Sequence, residues 1–231
     1  MAASAARIAE VLAGLRASSA RLRTGAGLER GHLPLGVAAL DTALGGGLPR
    51  GRLTELLGPR SSGRMSVTLS ALASAQAAGE LTSLVDVADA FDPRSARAAG
   101  VELTRLLWVR ARTLTDGLSA TDRVLDAGGF GLVVLYLCGA PSRVRGEVAW
   151  ARLAQRAEKA RAATLIVADR PLVGGFAAAT LEAQRARGRF SGSGAGLLLD
   201  GLDGQVTVSR SKVGVPGDAA PLALVAVVNG K

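Results

Sequence analysis

This chain has almost none of the residues that form disulfides or bind metals. Its 231 residues contain one cysteine, Cys138, and one histidine, His32. Cys138 has no partner for an internal disulfide, and the two residues together cannot complete a zinc cage. Both are read as structural. Aromatic residues make up only 3%, too few for a platform on which single-stranded bases would stack. No apolar run is long and uninterrupted enough to span a bilayer. The N-terminus lacks the charged, apolar, small-residue order of a signal peptide, so a cytoplasmic protein without membrane contact is expected. Lysine is scarce as well: Lys159, Lys212 and Lys231 are the only three among 28 basic residues.

What is present is arginine, with a net charge of +9. Arginine suits planar, bidentate contacts to phosphate or carboxylate, and the charge steers toward polyanions or acidic surfaces. A GC-rich genome produces the same Ala and Arg bias, so charge by itself selects no function. The hydrophobic fraction of 48% argues against disorder, and the length suits one medium α/β domain with small extensions.

The pattern along the chain divides it into residues 1–32, an N-terminal helix and linker, and residues 33–231, a core domain. Ile8, Val11, Leu12, Leu15 and Leu22 fall near one stripe of an amphipathic helix over residues 4–22. A Gly-rich stretch follows as a linker. From Leu35 onward, short apolar runs alternate with helical segments. "RLTELLG", "LTSLVDV", "RLLWVRA", "GLVVLYL" and "ATLIVAD" read as strands. Residues 37–44, 66–78, 95–99, 115–127 and 144–162 read as helices. Such alternation implies right-handed crossovers and a mainly parallel sheet covered on both faces. After Gly174 the pattern becomes strand, turn, strand. That tail reads as antiparallel strands added to the sheet, with Asp203–Gly204 as a hairpin turn.

The segment "LTELLGPRSSGRMSVTL" carries the most specific signal. Gly58 and Gly63 have the G-x-x-x-x-G spacing of a phosphate-binding loop, between a strand and a helix. A working loop continues with Lys, which bridges the outer phosphates, and a hydroxyl that ligates Mg2+. Here those positions are Arg64 and Met65. Arg64 retains a charge that can pair with phosphate, but its planar head cannot take the Lys position unchanged. A thioether is no ligand for a hard cation. The apolar strand Leu132–Leu137 also lacks the carboxylate that supports the metal.

At this point the chain resembles the RecA recombinase core. "LGVAALDTALGGGLPRGRLTELLGPRSSGRMSVTL", "LVDVADAFDPRSARAAGVELTRLLWV" and "VTVSRSKVGVP" look like that family's segments in order and spacing, over residues 33–228. The resemblance implies a RecA-like P-loop NTPase fold. It also implies losses: the family's catalytic Glu falls at Ala88, with Asp89 displaced beside it. The adenine-stacking aromatic falls at Ser95, the strand-end Asp at Tyr136, and the γ-phosphate sensor near Arg170. Asp86, Asp92 and the glycine cradle match. The two DNA-binding loops are shortened, leaving Arg143, Arg145 and Arg152 as candidate phosphate contacts. Arg210 and Lys212 fall where the family carries basic residues that reach across the filament interface.

Small proteins with decayed loops of this kind resemble the ImuA-type factors of bacterial damage-induced (SOS) mutagenesis. That resemblance implies a non-catalytic, nucleoid-associated protein without a cofactor or metal. Its implied partners are RecA, a Y-family-like polymerase subunit and an error-prone replicative polymerase, and its implied effect is attenuation of RecA filaments. Gly58, Gly63 and Arg64 then form a vestigial phosphate loop, and Arg210 and Lys212 a partner contact. Two other readings stay open: an unconventional ATP-dependent enzyme using Arg64, and a basic module that binds single-stranded DNA.

Overall fold

In the structure, a computed structural model, residues 10–11, 13–14, 31–139, 147–185, 187–196, 198–212 and 219–225 are described. Most of the helix and linker expected before residue 32 lies outside them, and His32 is already paired with Pro49. That pairing joins β1 (His32–Leu33) to β2 (Leu48–Pro49), with the short helix α1 (Ala38–Ala43) between them.

A large sheet follows. Its first strand, β3 (Leu53–Leu57), leads into α2 (Arg64–Ala77), and β4 (Leu81–Asp86) into the short α3 (Pro93–Ala98). Then come β5 (Leu106–Arg110), α4 (Leu114–Ala127), β6 (Phe130–Tyr136), α5 (Glu147–Ala160) and β7 (Ala163–Ala168). The C-terminal part adds β8 (Ala177–Ala183), β9 (Arg187–Ser191), β10 (Leu198–Ser211) and β11 (Ala219–Val225). The order across the nine-stranded sheet is β11-β10-β8-β3-β7-β6-β4-β5, with β9 paired to β10. Strands β3 to β8 run parallel, and β9, β10 and β11 are joined antiparallel. The mainly parallel, helix-covered sheet with an antiparallel extension is the expected fold class.

The central strands are apolar throughout because both faces are covered, and alternate residues enter different cores. On β6, Leu132, Val134 and Tyr136 pack toward the side of α1 and α2. Phe130, Val133, Leu135 and the following Leu137 pack toward α4 and α5. Local signals set the helix starts. Asp92 accepts hydrogen bonds from the N–H groups of Arg94 and Ser95, and Pro93 opens α3. Thr113 accepts from Asp116 N at 3.1 Å at the start of α4.

One expectation is overturned. Asp203–Gly204 is no hairpin turn, because β10 runs through it without a break. A two-residue turn of that type needs positive φ at both positions, and neither residue has it. Asp203 instead pairs with Ala223 on one side and Arg187 on the other, and its carboxylate meets Arg189 at 3.1 Å. The chain reverses earlier, between β9 and β10.

Candidate functional site

The C-terminal ends of β3, β4, β6 and β7 lie side by side, and the loop after β3 turns into α2 over them. In an open α/β sheet this is where a ligand crevice forms. A cleft of about 720 Å³ lies there, lined by Arg60, Ser61, Met65, Ala88 and Tyr136 among others.

The loop keeps the backbone of a phosphate cradle. Gly63 adopts a left-handed conformation (φ 83°) immediately before α2, where a side chain would be strained. Gly58 (φ 154°) is held by packing as well: a Cβ there would lie 2.4 Å from the carbonyl oxygen of Ala183 on β8. Gly58 is thus required by its neighbour strand whether or not a phosphate binds.

Arg64 is where the site departs from a phosphate loop. Its side chain is buried, and Nη1 donates to the Ala168 carbonyl at 2.6 Å and meets Asp169 Oδ1 at 2.8 Å. The other carboxylate oxygen, Asp169 Oδ2, accepts from Gly139 N at 2.7 Å. Burial raises the Asp169 pKa, but the Gly139 N–H and the Arg64 guanidinium outweigh it and hold the carboxyl below its ordinary value. Beside them, burial pushes the Cys138 thiol up to about 11 against the opposing pull of Arg64. Burial, followed by the neighbouring Cys138, also raises Tyr136.

The remaining positions around the cleft are occupied by folding contacts. Asp86 is fully buried and accepts from Ala88 N at 3.2 Å and Phe91 N at 2.9 Å, folding the loop after β4. Asp89 is engaged by Arg110 at 2.8 and 2.5 Å. Arg110 lies 5.3 Å from the centre of the Trp108 ring. Ser95 donates its hydroxyl to Asp92 at 2.6 Å, a bond that also lowers the Asp92 pKa. Among the described residues, no group of three or more His, Cys, Asp or Glu side chains is placed to hold a metal ion. No helix among them is long and apolar enough to cross a membrane.

The basic candidates separate in the same way. Arg143 and Arg145 lie outside the described residues. Arg152 on α5 is bound to Asp122 of α4 at 2.8 Å, and Arg156 reaches the same carboxylate at 3.3 Å. Arg210 donates to the carbonyls of Gly174 and Ala177, and Lys212 Nζ donates to Gly175 O at 2.7 Å. Both side chains hold the turn before β8, where Phe176 stays 38% exposed. The structure therefore places Gly63 and Arg64 at the cleft, Gly58 at the start of the same loop against β8, and Arg152, Arg210 and Lys212 elsewhere. Sequence reasoning fixed on Arg170 in "VADRPL" and missed Asp169, which is the residue that engages the loop. An acid at the end of a parallel strand was the available signal.

The RecA N-terminal domain family matches residues 17–164 of the chain. The chain belongs to this family. Protein RecA of Clavibacter michiganensis subsp. michiganensis is 43% identical to it over 104 residues, 45% of this chain and 29% of that protein. Protein RecA of Leifsonia xyli subsp. xyli is likewise 43% identical over 104 residues, 45% of this chain and 29% of that protein. Protein RecA of Salinispora tropica is 42% identical over 109 residues, 47% of this chain and 31% of that protein. The matched stretch thus spans less than a third of those relatives. Gly58, Gly63 and Arg64 lie within the residues that the family matches.

Proposed function

We propose that this RecA-family chain is a non-catalytic accessory protein of DNA-damage-induced mutagenesis. It binds RecA and the error-prone polymerase components that act with it at the nucleoid, and it attenuates RecA filament activity. The observation that carries the reading is the orientation of Arg64. The cation that follows Gly63 is engaged by Ala168 and Asp169 rather than facing an open cradle. In the same cleft, Met65, Ala88 and Tyr136 stand where the resemblance to the recombinase core puts the metal-binding hydroxyl, the catalytic Glu and the strand-end Asp. The fold is kept, so its packing surfaces remain available to a relative of the same architecture. A subunit that joins a filament end without turning over nucleotide stops its growth.

The partner surface proposed at Arg210 and Lys212 is the end of β10 together with the Gly174–Phe176 turn that these two residues hold. Affinity capture of RecA by the full chain, with RecA strand exchange measured at increasing concentrations of the chain, tests the reading. Retention of RecA and a dose-dependent fall in exchange are expected. Neither effect at micromolar concentrations rejects it. Arg210→Glu with Lys212→Glu weakens capture, and unchanged capture removes this surface from the proposal. The enzyme reading predicts phosphate release in the presence of ATP, Mg2+ and DNA that is lost in Arg64→Ala; no turnover is expected. The reading as a DNA-binding module predicts salt-sensitive binding to single strands without any need for RecA.

A further inference from the structure

The contacts of Arg64 and Asp169 join three separate segments. Arg64 is the first residue of α2, Ala168 ends β7 with Asp169 directly after it, and Gly139 follows β6. Strands β6 and β7 are parallel neighbours, paired up to Tyr136 and Val167, and Leu137 N donates to Val167 O at 2.8 Å. Gly139 and Asp169 therefore sit at the roots of the two loops that leave these strands at the cleft. Nη1 of an arginine carries two hydrogens, and two acceptors, a carbonyl and a carboxylate, lie 2.6 and 2.8 Å from it. The carboxylate is shared between Arg64 and the Gly139 amide, and the positive charge of Arg60 adds a longer-range attraction.

We infer that Asp169 is a built-in anionic ligand for the phosphate loop. It takes the position of an exchangeable anion as the partner of Arg64 and clasps the roots of both loops in one arrangement that does not depend on nucleotide. A ligand can shift a conformation only by its differential affinity for two states. With Arg64 bound internally, the cation that follows Gly63 is held in place without nucleotide. The Arg64 side chain is 4% exposed and the Asp169 side chain 43%, so the arginine is held inside the fold while the carboxylate lies at the cleft surface, where solvent screens part of the attraction. The inference stands independently of RecA binding, since its test reads the clasp alone.

Amide hydrogen exchange of the full chain measures it. In the wild type, the Gly139 amide, which donates to Asp169, exchanges at the same rate with and without millimolar ATP and Mg2+. In Asp169→Ala, the Gly139 amide loses its acceptor and exchanges about tenfold faster or more. Arg64→Met speeds the Gly139 amide as well, while amides in the middle of β6 and β7 keep their protection in both variants. Asp169→Asn keeps an acceptor without the charge and gives an intermediate rate at Gly139. A nucleotide-dependent change in the wild type overturns the inference. So does unchanged exchange at Gly139 in both Asp169→Ala and Arg64→Met. The wild-type comparison decides the matter even where a variant fails to fold.

Discussion

At the scale of single residues, side chains that carry chemistry in sequence are engaged in structural contacts in the fold. Asp169 has the clearest pH signature. Its folded pKa is held below the ordinary aspartate value of 3.8, so its contribution to stability is fully present above that value and is lost as pH falls through the folded pKa. The thermal midpoint of Asp169→Asn should therefore lie below wild type by a constant amount from pH 5 to 8, a window well above that range. The two midpoints should converge in acid below 3.8. A gap that persists unchanged in acid would show that the carboxylate charge is not what stabilises. Cys138 predicts the opposite direction on the alkaline side. Its thiol is pushed up to about 11 from 9.0, so alkylation should be slower at neutral pH than for a free thiol and should rise toward that value. Labelling at the rate of an exposed peptide cysteine would contradict the burial around it.

At the scale of elements, the loop between β3 and α2 was legible as a strand-to-helix turn, because Gly58 and Gly63 mark it by spacing. That Arg64 and Met65 follow the second glycine was legible too. What Arg64 does was not, since Ala168 lies 104 positions away in sequence. The hairpin at Asp203–Gly204 failed for a related reason: a turn-forming dipeptide was overridden by backbone partners on both sides of β10. Gly58 tests whether the cradle is a scaffold. Gly58→Ala places a Cβ 2.4 Å from a backbone oxygen of β8, at a φ that L-residues rarely adopt. It should cost roughly 2 kcal/mol or more in urea unfolding. A loss well below that would mean the glycine is not held by packing. A second hidden device is the ion pair of Arg50 and Glu80, at 3.0 and 2.5 Å, with side chains only 11% and 4% exposed. It fastens the turn before β3 to the start of β4. Arg50→Ala leaves a buried carboxylate without its partner and should cost about 3–5 kcal/mol.

At the scale of the whole molecule, charge and architecture point in different directions. The net charge of +9 favours polyanions at long range, yet Arg152 is tied to Asp122, and Arg210 and Lys212 to backbone carbonyls. Any retention on single-stranded DNA should therefore be weak and fall steeply with salt. Arg152→Ala should leave the salt slope unchanged and instead lower stability by loosening α5 from α4. A slope reduced by about one would restore Arg152 as a phosphate contact.

The sequence by itself determined the layered α/β fold with its mainly parallel sheet, and the presence of Arg64 and Met65 directly after the second loop glycine. These follow from local periodicity and from residue identity at fixed spacings, which a linear string preserves. Only the tertiary structure decided which partner each charged group takes. Asp169 could reach Arg64 and Gly139 only after the parallel pairing of β6 and β7 set their ends side by side beneath α2. Ion pairs of that range depend on distances that the fold creates, so residue identity alone left Arg64 with more than one use.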